Sequence, residues 1–558
     1  MSALAKAIRQ KRFTVKENSC ITLALDTRTG ARMEFRVENC SINGMGAVIP
    51  GTLNLEEDFQ IGSIIPAAKI VVGEQEAVLG RLTVRFRIEK YGDQGAYIGF
   101  ATVDSKIPVD GMLSKYLHPA QNGEINPYDF ELSADQFSLA SFVEHQDSNT
   151  DLFARCRKFE IFYQEWKNTD KYNFNEVREA SIGPRIHLKT LRKGDRSDYI
   201  QMTAYDYLNL GSHPKVIEAA VDATRKYGYT SGGSPVLSGT TELHERLEHK
   251  LAQMLGKQRV ILFNSGYAAN VATLQGLTTG QDLIVADMLS HASLHDGMRM
   301  SPATSRFFKH NNMAHLEKVL VENRPSAMGA LIVTEGVFSM DGDMGDIRSV
   351  VGLAKAHNAR VMVDEAHSFG LYGKKRNGIS ELVNRLDQVD IYMSSLSKVC
   401  GAGGGFIAAN QEVIDWLTSF GRARVFSGSM PASSAAAGLA ALELIATDNE
   451  RVERLFNNVK HFVRGMRDLG APVAADHNSP IVPVVIGDER KIGPICQHLK
   501  ERGIFVVPIV YPAVGKTQCR FRFSLMSEHS ISDLDYVIST FEQAMKNVGF
   551  SFKMLKAA

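Results

Sequence analysis

Hydrophobic and polar residues follow several rhythms along the chain, and each points to a different kind of structure. From Cys20 to about Phe100 the period is two. Leu82, Val84, Phe86 and Ile88 alternate with Arg81, Thr83, Arg85, Arg87 and Glu89, which buries one face of an extended segment and leaves polar groups on the other. Thr29-Gly30, Asn43-Gly44 and Tyr91-Gly92-Asp93 supply turns between such segments, as a small β-barrel or sandwich requires. Between about Gln121 and Tyr172 the composition turns polar and then helical, with Leu152, Cys156, Phe159, Tyr163 and Trp166 recurring at steps of four and three. From Ser212 onward apolar, strand-like runs alternate with helical patterns. Val260 to Phe263, Ala330 to Val333, Arg360 to Val363 and Ile391 to Ser394 predict strands of a mostly parallel sheet wrapped by helices. The Ala-rich run from Ala432 to Ala446 predicts a buried helix, and beyond it Ile481 to Ile486, Ile504 to Val507 and Arg520 to Leu525 predict strands of a smaller α+β part.

These patterns divide the chain into a small β-barrel over 1–118, a linker with a connecting helix over 119–170, a large domain with an N-terminal arm over 171–440 and a small C-terminal domain over 441–558. A chain of 558 residues is too long for one core and suits a multidomain enzyme. The formal net charge of +1 gives no basic bias toward nucleic acid. The six cysteines form no CxxC pair, which argues against a zinc site or a disulfide framework and for reduced thiols in the cytoplasm. No stretch reaches the roughly 18 to 20 apolar residues that span a bilayer, and the N-terminal apolar run is too short for a signal peptide.

The chemistry concentrates after two of the apolar strands. Asp364-Glu365-Ala366-His367 follows one, and Ser395-Leu396-Ser397-Lys398 follows another. A pyridoxal cofactor needs a lysine for its aldehyde and a carboxylate for its ring nitrogen. Lys398 and Asp364 meet that need, with His367 in reach of the ring hydroxyl. An ion pair at about 4 Å in an effective dielectric near 20 is worth ~4 kcal/mol, enough to keep the ring nitrogen protonated. The cofactor's phosphate needs a seat as well. Asn264-Ser265-Gly266-Tyr267 closes one strand and opens a helix, whose free N–H groups and positive end suit an anion, and Ser395 adds a hydroxyl. The Gly401 to Gly405 run is not a dinucleotide fingerprint and is read as packing near Lys398.

With His291-Ala292-Ser293, Ser339-Met340-Asp341-Gly342-Asp343, Lys309-His310-Asn311-Asn312, Pro480-Ile481-Val482-Pro483 and Arg522 to His529, these segments resemble the α-oxoamine synthases, fold-type I pyridoxal-phosphate enzymes, over about Lys171 to Val548. Within that family the serine palmitoyltransferases are the nearest resemblance. The resemblance implies a central, mostly parallel sheet with a smaller C-terminal α+β domain, pyridoxal 5'-phosphate as cofactor, and a homodimer with shared active sites. It implies that His291 stacks on the cofactor ring, that Ser339 lies by the ring hydroxyl and Tyr267 by the ring or phosphate, and that Arg522 clamps the substrate carboxylate. His291 and His295 stand four apart, but no third ligand at suitable spacing supports a metal. The implied reaction joins serine, glycine or alanine to an acyl-coenzyme A or acyl carrier protein thioester, with loss of carbon dioxide, to give an aminoketone. Tyr205, Asn209 and Pro235 depart from residues common in the family, so substrate choice stays open. An aminotransferase, or a silent scaffold acting as a cyclic-nucleotide receptor, are the competing readings; the presence of Lys398 speaks against the scaffold.

Near the N-terminus, Asn39-Cys40-Ser41-Ile42-Asn43-Gly44 fits the N-x-S-x-x-G turn of PilZ domains, and Gly95 to Phe100 resembles their closing strand. That resemblance implies a PilZ-like β-barrel and cyclic di-GMP as ligand, with Arg12 and Arg9 beside Asn39, Ser41 and Gly44. Ile8 stands where the first arginine of the usual pair is expected. A barrel that only binds protein is the other reading.

Overall fold

The structure is a computed structural model. It describes residues 198–552 apart from 512 and 516, residues 174–180 and 182–189, scattered positions between 153 and 164, and strand backbone within 13–119. The chain divides into two compact units, 1–173 with 511–515 and 174–510 with 516–558.

The first unit contains β1 (Phe13–Val15), β2 (Ile21–Asp26), β3 (Arg32–Ser41), β4 (Gly44–Ile49), β5 (Ile64–Val72), β6 (Gln75–Ile88), β7 (Ala96–Thr102) and β8 (Leu117–Pro119). Their order is β2-β5-β6-β7-β4-β3-β1-β8, and β2 also pairs with β3. Six strands are thus joined by antiparallel pairings that close into a ring, a closure that leaves those strands no open edge. β3 and β4 form a hairpin in which Ser41 pairs with Gly44, and the register shifts between Val37 and Asn39. Arg9 and Arg12 lie outside the described residues, and for Asn39, Ser41 and Gly44 the backbone alone is described. Of the helix expected between Leu152 and Trp166, positions 156, 157, 159, 160, 163 and 164 are described as helical.

The second unit is built on a sheet of β11 (Arg259–Phe263), β12 (Leu283–Asp287), β13 (Thr304–Phe308), β14 (Ala330–Glu335), β15 (Arg360–Asp364), β16 (Ile391–Ser395) and β17 (Gly405–Ala409). Before it in the chain come β9 (Arg185–His187) and β10 (Asp198–Gln201). The sheet order is β11-β17-β16-β15-β14-β12-β13, and β17 runs antiparallel to both its neighbours while the remaining pairings are parallel. Strands covered on both faces must be apolar throughout, and the alternation sorts their side chains between two cores. Val260, Leu262, Val285, Ile332, Val363 and Phe406 enter one, and Ile261, Phe263, Ile284, Val333, Met362 and Ile407 the other. The helix Ala432–Thr447, expected from its alanines, is buried along much of its length and packs on the helices Pro214–Tyr227 and Glu242–Leu255.

The C-terminal part adds β18 (Ile481–Val485), β19 (Ile504–Phe505), β20 (Pro508–Ile509) and β21 (Arg520–Ser524). β18, β21 and β20 form an antiparallel sheet, whereas β19 joins β10 in parallel and β10 joins β9. The strand expected from Ile504 to Val507 is therefore shorter, only Ile504–Phe505, and a second short strand follows it. β19 stops at Phe505, and Pro508, which has no N–H to give a ladder, opens β20.

Candidate active site

Three parallel strands end at one place. Glu335 closes β14, Asp364 closes β15 and Ser395 closes β16, and all three line a cavity of about 220 Å³ at the carboxyl edge of the sheet, where open α/β sheets bind their ligands. β11 delivers its own contribution through Ser265, which caps the helix Gly266–Leu277 by accepting a hydrogen bond from the Ala268 N–H at 3.1 Å. The positive end of that helix faces the cavity through Ser265, Gly266 and Tyr267. A Cβ on Gly266 would lie 2.9 Å from the Met393 Cε and 3.2 Å from the Ser395 Cβ, so the close approach of the helix to β16 depends on glycine.

Lys398 lines this cavity and is largely buried. Burial pulls its pKa down to about 8, against the attraction of the Asp364 and Glu335 carboxylates. The turn that presents it is tied within itself: the Ser395 and Ser397 hydroxyls are 2.7 Å apart, and the Gly401 N–H donates to the Lys398 carbonyl at 3.0 Å. Asp364 accepts from the Asn270 side-chain amide at 2.8 Å and from the Ala366 N–H at 2.9 Å. Asn270 also donates to the Ser293 hydroxyl at 2.9 Å, and that hydroxyl stands 2.7 Å from His291 Nδ1, so one amide links the carboxylate to the histidine. The His291 N–H donates to Glu335. Burial pushes the Glu335 carboxyl well above its usual range, and the neighbouring Asp364 adds to the shift. Burial also lowers the pKa of His291 and, further, that of His367, whose Nδ1 lies 2.8 Å from the Tyr207 hydroxyl. Both histidines are therefore neutral imidazoles at neutral pH.

Of the residues expected from sequence, Ser265, Gly266, Tyr267, His291, Asp364, His367, Ser395 and Lys398 line this cavity. Ser339 and Arg522 do not; they stand beside it, with Arg522 Nε donating to the Ser339 carbonyl at 2.5 Å and Nη1 to the Ser524 hydroxyl at 2.9 Å. The Arg522 charge still acts on Lys398, His367 and Tyr207. Asn270 and Glu335 were not singled out from sequence, although each carried a signal. Asn270 sits four residues after Gly266, on the same helix face, and Glu335 is a charge ending an apolar strand.

These groups fit pyridoxal 5'-phosphate. A largely buried amine of lowered pKa, a carboxylate whose two oxygens are already oriented by donors, and a helix N-terminus flanked by the hydroxyls of Ser265, Ser395 and Ser397 all open on one cavity.

Comparison with known proteins agrees with that fit. The family model for class I and II aminotransferases matches residues 197–541. The chain is 38% identical over 356 residues to an 8-amino-7-oxononanoate synthase of Alkaliphilus oremlandii, covering 64% of this chain and 89% of that protein. To the enzyme of the same name from Thermoanaerobacter pseudethanolicus it is 34% identical over 385 residues, 69% of this chain and 96% of that one. Among solved structures, a serine palmitoyltransferase from S. paucimobilis with bound PLP superimposes with a TM-score of 0.68 at 29% identity, over 72% of this chain and 99% of that chain. One from Sphingomonas wittichii gives 0.68 at 28%, over the same shares. The chain belongs to the class I and II aminotransferase family, and its second unit has the fold-type I pyridoxal-phosphate transferase fold. Within that class it is a pyridoxal-phosphate-dependent α-oxoamine synthase. Among the described residues no helix is long and apolar enough to cross a membrane.

Proposed function

We propose that this enzyme condenses serine, glycine or alanine with an acyl-coenzyme A or acyl carrier protein thioester, releasing carbon dioxide and free thiol and leaving an aminoketone. When bound, pyridoxal 5'-phosphate supplies an aldehyde for the amino group and a protonated ring that takes up the electron pair left at Cα. Asp364 would keep the proton on the ring nitrogen. Lys398 would hold the aldehyde, and its Nζ, once free of it, would serve as the base for the amino acid's Cα proton, a task suited to a pKa of about 8. His291 would stack on the ring, and Asn270 and Ser293 hold the imidazole in place relative to Asp364. His367 would meet the ring hydroxyl from the cavity wall, with Ser339 beside it. Ser265, Gly266, Tyr267 and Ser395 seat the phosphate end. Arg522, anchored on the Ser339 carbonyl, clamps the amino acid carboxylate with paired hydrogen bonds.

The observation that carries this reading is the convergence of Lys398 and Asp364 on one cavity whose wall is a helix N-terminus. Thiol release from acyl-coenzyme A is the test, with one amino acid present and acyl chains of several lengths. Release that depends on the amino acid supports the condensation. Release of a keto acid, with no thiol for any pairing, contradicts it and favours an aminotransferase.

The reading extends to a cytoplasmic homodimer and to control by the first unit. We infer a PilZ-like barrel there that binds cyclic di-GMP through Arg9, Arg12, Asn39, Ser41 and Gly44. Two observations support it: the closed ring of antiparallel pairings, and the N-x-S-x-x-G segment straddling the hairpin of β3 and β4. Calorimetry of the full chain with cyclic di-GMP tests it. Binding lost in Arg12→Ala and Ser41→Ala is expected, and no binding to the unaltered chain contradicts it.

A further inference from the structure

His310 follows β13 and does not line the cavity, yet its ring is held at both nitrogens. Nδ1 lies 3.0 Å from Asp287 Oδ1, and Nε2 lies 2.8 Å from Asp343 Oδ2. A neutral imidazole has a single N–H, so with a carboxylate at each nitrogen the doubly protonated ring is the form that satisfies both. Burial opposes the charge, but the hydrogen bonds and charges of Asp287 and Asp343 outweigh it and carry the pKa up to about 10. The Phe338 ring packs edge-on against the imidazole, with centroids 4.4 Å apart.

The two carboxylates lead to different walls of the site. Asp287 is fully buried and orders the turn that ends in His291: Oδ1 accepts from the Leu289 N–H at 2.9 Å, and its carbonyl accepts from Ser290 at 3.1 Å. Asp343 closes the loop that carries Ser339, because its carbonyl accepts from the Phe338 N–H at 3.0 Å. The Ser339 carbonyl in turn anchors Arg522. Asn311 spans the same pair, donating its backbone N–H to Asp287 Oδ2 at 2.8 Å and its side-chain amide to Asp343 Oδ2 at 2.9 Å. It does so with φ of 48°, a left-handed conformation that asparagine adopts more readily than most residues.

We propose that His310 is a positioning residue: its imidazolium, shared between Asp287 and Asp343, fixes the turn bearing His291 against the loop that anchors Arg522, and so sets the amino acid side of the cavity. This rests on the roles given to His291 and Arg522 above. Removing the charge frees the two loops to separate, which loosens amino acid binding and leaves the acyl thioester's own contacts untouched.

The test compares the cofactor-loaded full chain with His310→Gln and Asp343→Asn, titrated with serine, glycine and alanine by cofactor absorbance and assayed for both substrates' KM. Each variant is expected to weaken amino acid binding by about tenfold or more with little change in the KM for acyl thioester. Nitrogen-15 spectra of histidine-labelled, cofactor-free protein give an independent readout, whose first part uses the unaltered chain alone. One ring protonated on both nitrogens at pH 8.5 and lost in Asp343→Asn is expected. Variants that unfold more easily but bind the amino acid unchanged, or a His310 that titrates near 6.5, overturn the proposal. His291→Ala and Arg522→Ala, run alongside, judge the underlying reading separately. If they bind amino acid normally, those assigned roles fall whatever His310 does; if they lose it and His310→Gln does not, only the positioning role falls.

Discussion

Asp364 and Glu365 are neighbours at the end of β15, both buried and both carboxylates, and they meet opposite surroundings. Asp364 lines the cavity and is held by Asn270 and the Ala366 N–H. Glu365 is fully buried elsewhere, where the Ile379 N–H at 2.9 Å, the Ser380 N–H at 2.7 Å and the Ser368 and Ser380 hydroxyls converge on its two oxygens. Burial pushes the Glu365 carboxyl up, and those four donors work against the shift. Gly336 and Gly378 border this cage, and a Cβ at either would collide with Glu365. On the proposed mechanism, two adjacent acids in one chain are divided between chemistry and structure. Their substitution should separate loss of activity from loss of stability.

Lys398→Ala should have the largest effect, lowering thiol release by about 10⁴-fold while unfolding by urea stays as in the unaltered protein. Asp364→Asn preserves shape and removes the charge. A pair worth ~4 kcal/mol corresponds to about a thousandfold in rate, again without loss of stability. Glu365→Ala should do the reverse, costing about 3 kcal/mol or more of unfolding free energy by stranding buried donors, with near-normal kcat in the protein that remains folded. A Glu365→Ala variant that is stable but inactive would erase the contrast between the two acids.

The pH dependence sharpens the cavity side alone. Because the Lys398 pKa is depressed to about 8, its neutral, reactive form prevails above that pH. Capture of added pyridoxal 5'-phosphate by the cofactor-free protein should therefore rise with pH, roughly tenfold per unit below 8, and level off above it. A rise continuing past pH 10 would mean an amine in ordinary water. The smallest effect belongs to the rim. Tyr267 is 48% exposed and donates to Asp296 at 2.7 Å, so Tyr267→Phe should change cofactor affinity by about 1 kcal/mol at most.

Legibility in the sequence followed how local the cause was. β11, β14, β15 and β16 were readable because apolar runs announce strands covered on both faces. β13, at the sheet edge, exposes most of its residues and lacks that run, and β17 begins inside a glycine-rich segment read only as packing. Lys398 and Asp364 stood out as charges just past apolar strands. Glu335 did not, because its importance comes from the register of β14 on β15, which pairs Glu335 with Asp364, 29 residues further along the chain. Arg522 was legible only through family resemblance, since its position depends on the Ser339 carbonyl from a distant loop.

Reductive trapping tests the central claim most directly. The full chain, loaded with pyridoxal 5'-phosphate, is treated with borohydride, digested and mapped by mass spectrometry. The label should sit on Lys398 alone and vanish in Lys398→Ala. Label on another lysine, or none at all, would contradict the assignment of this cavity as the catalytic centre.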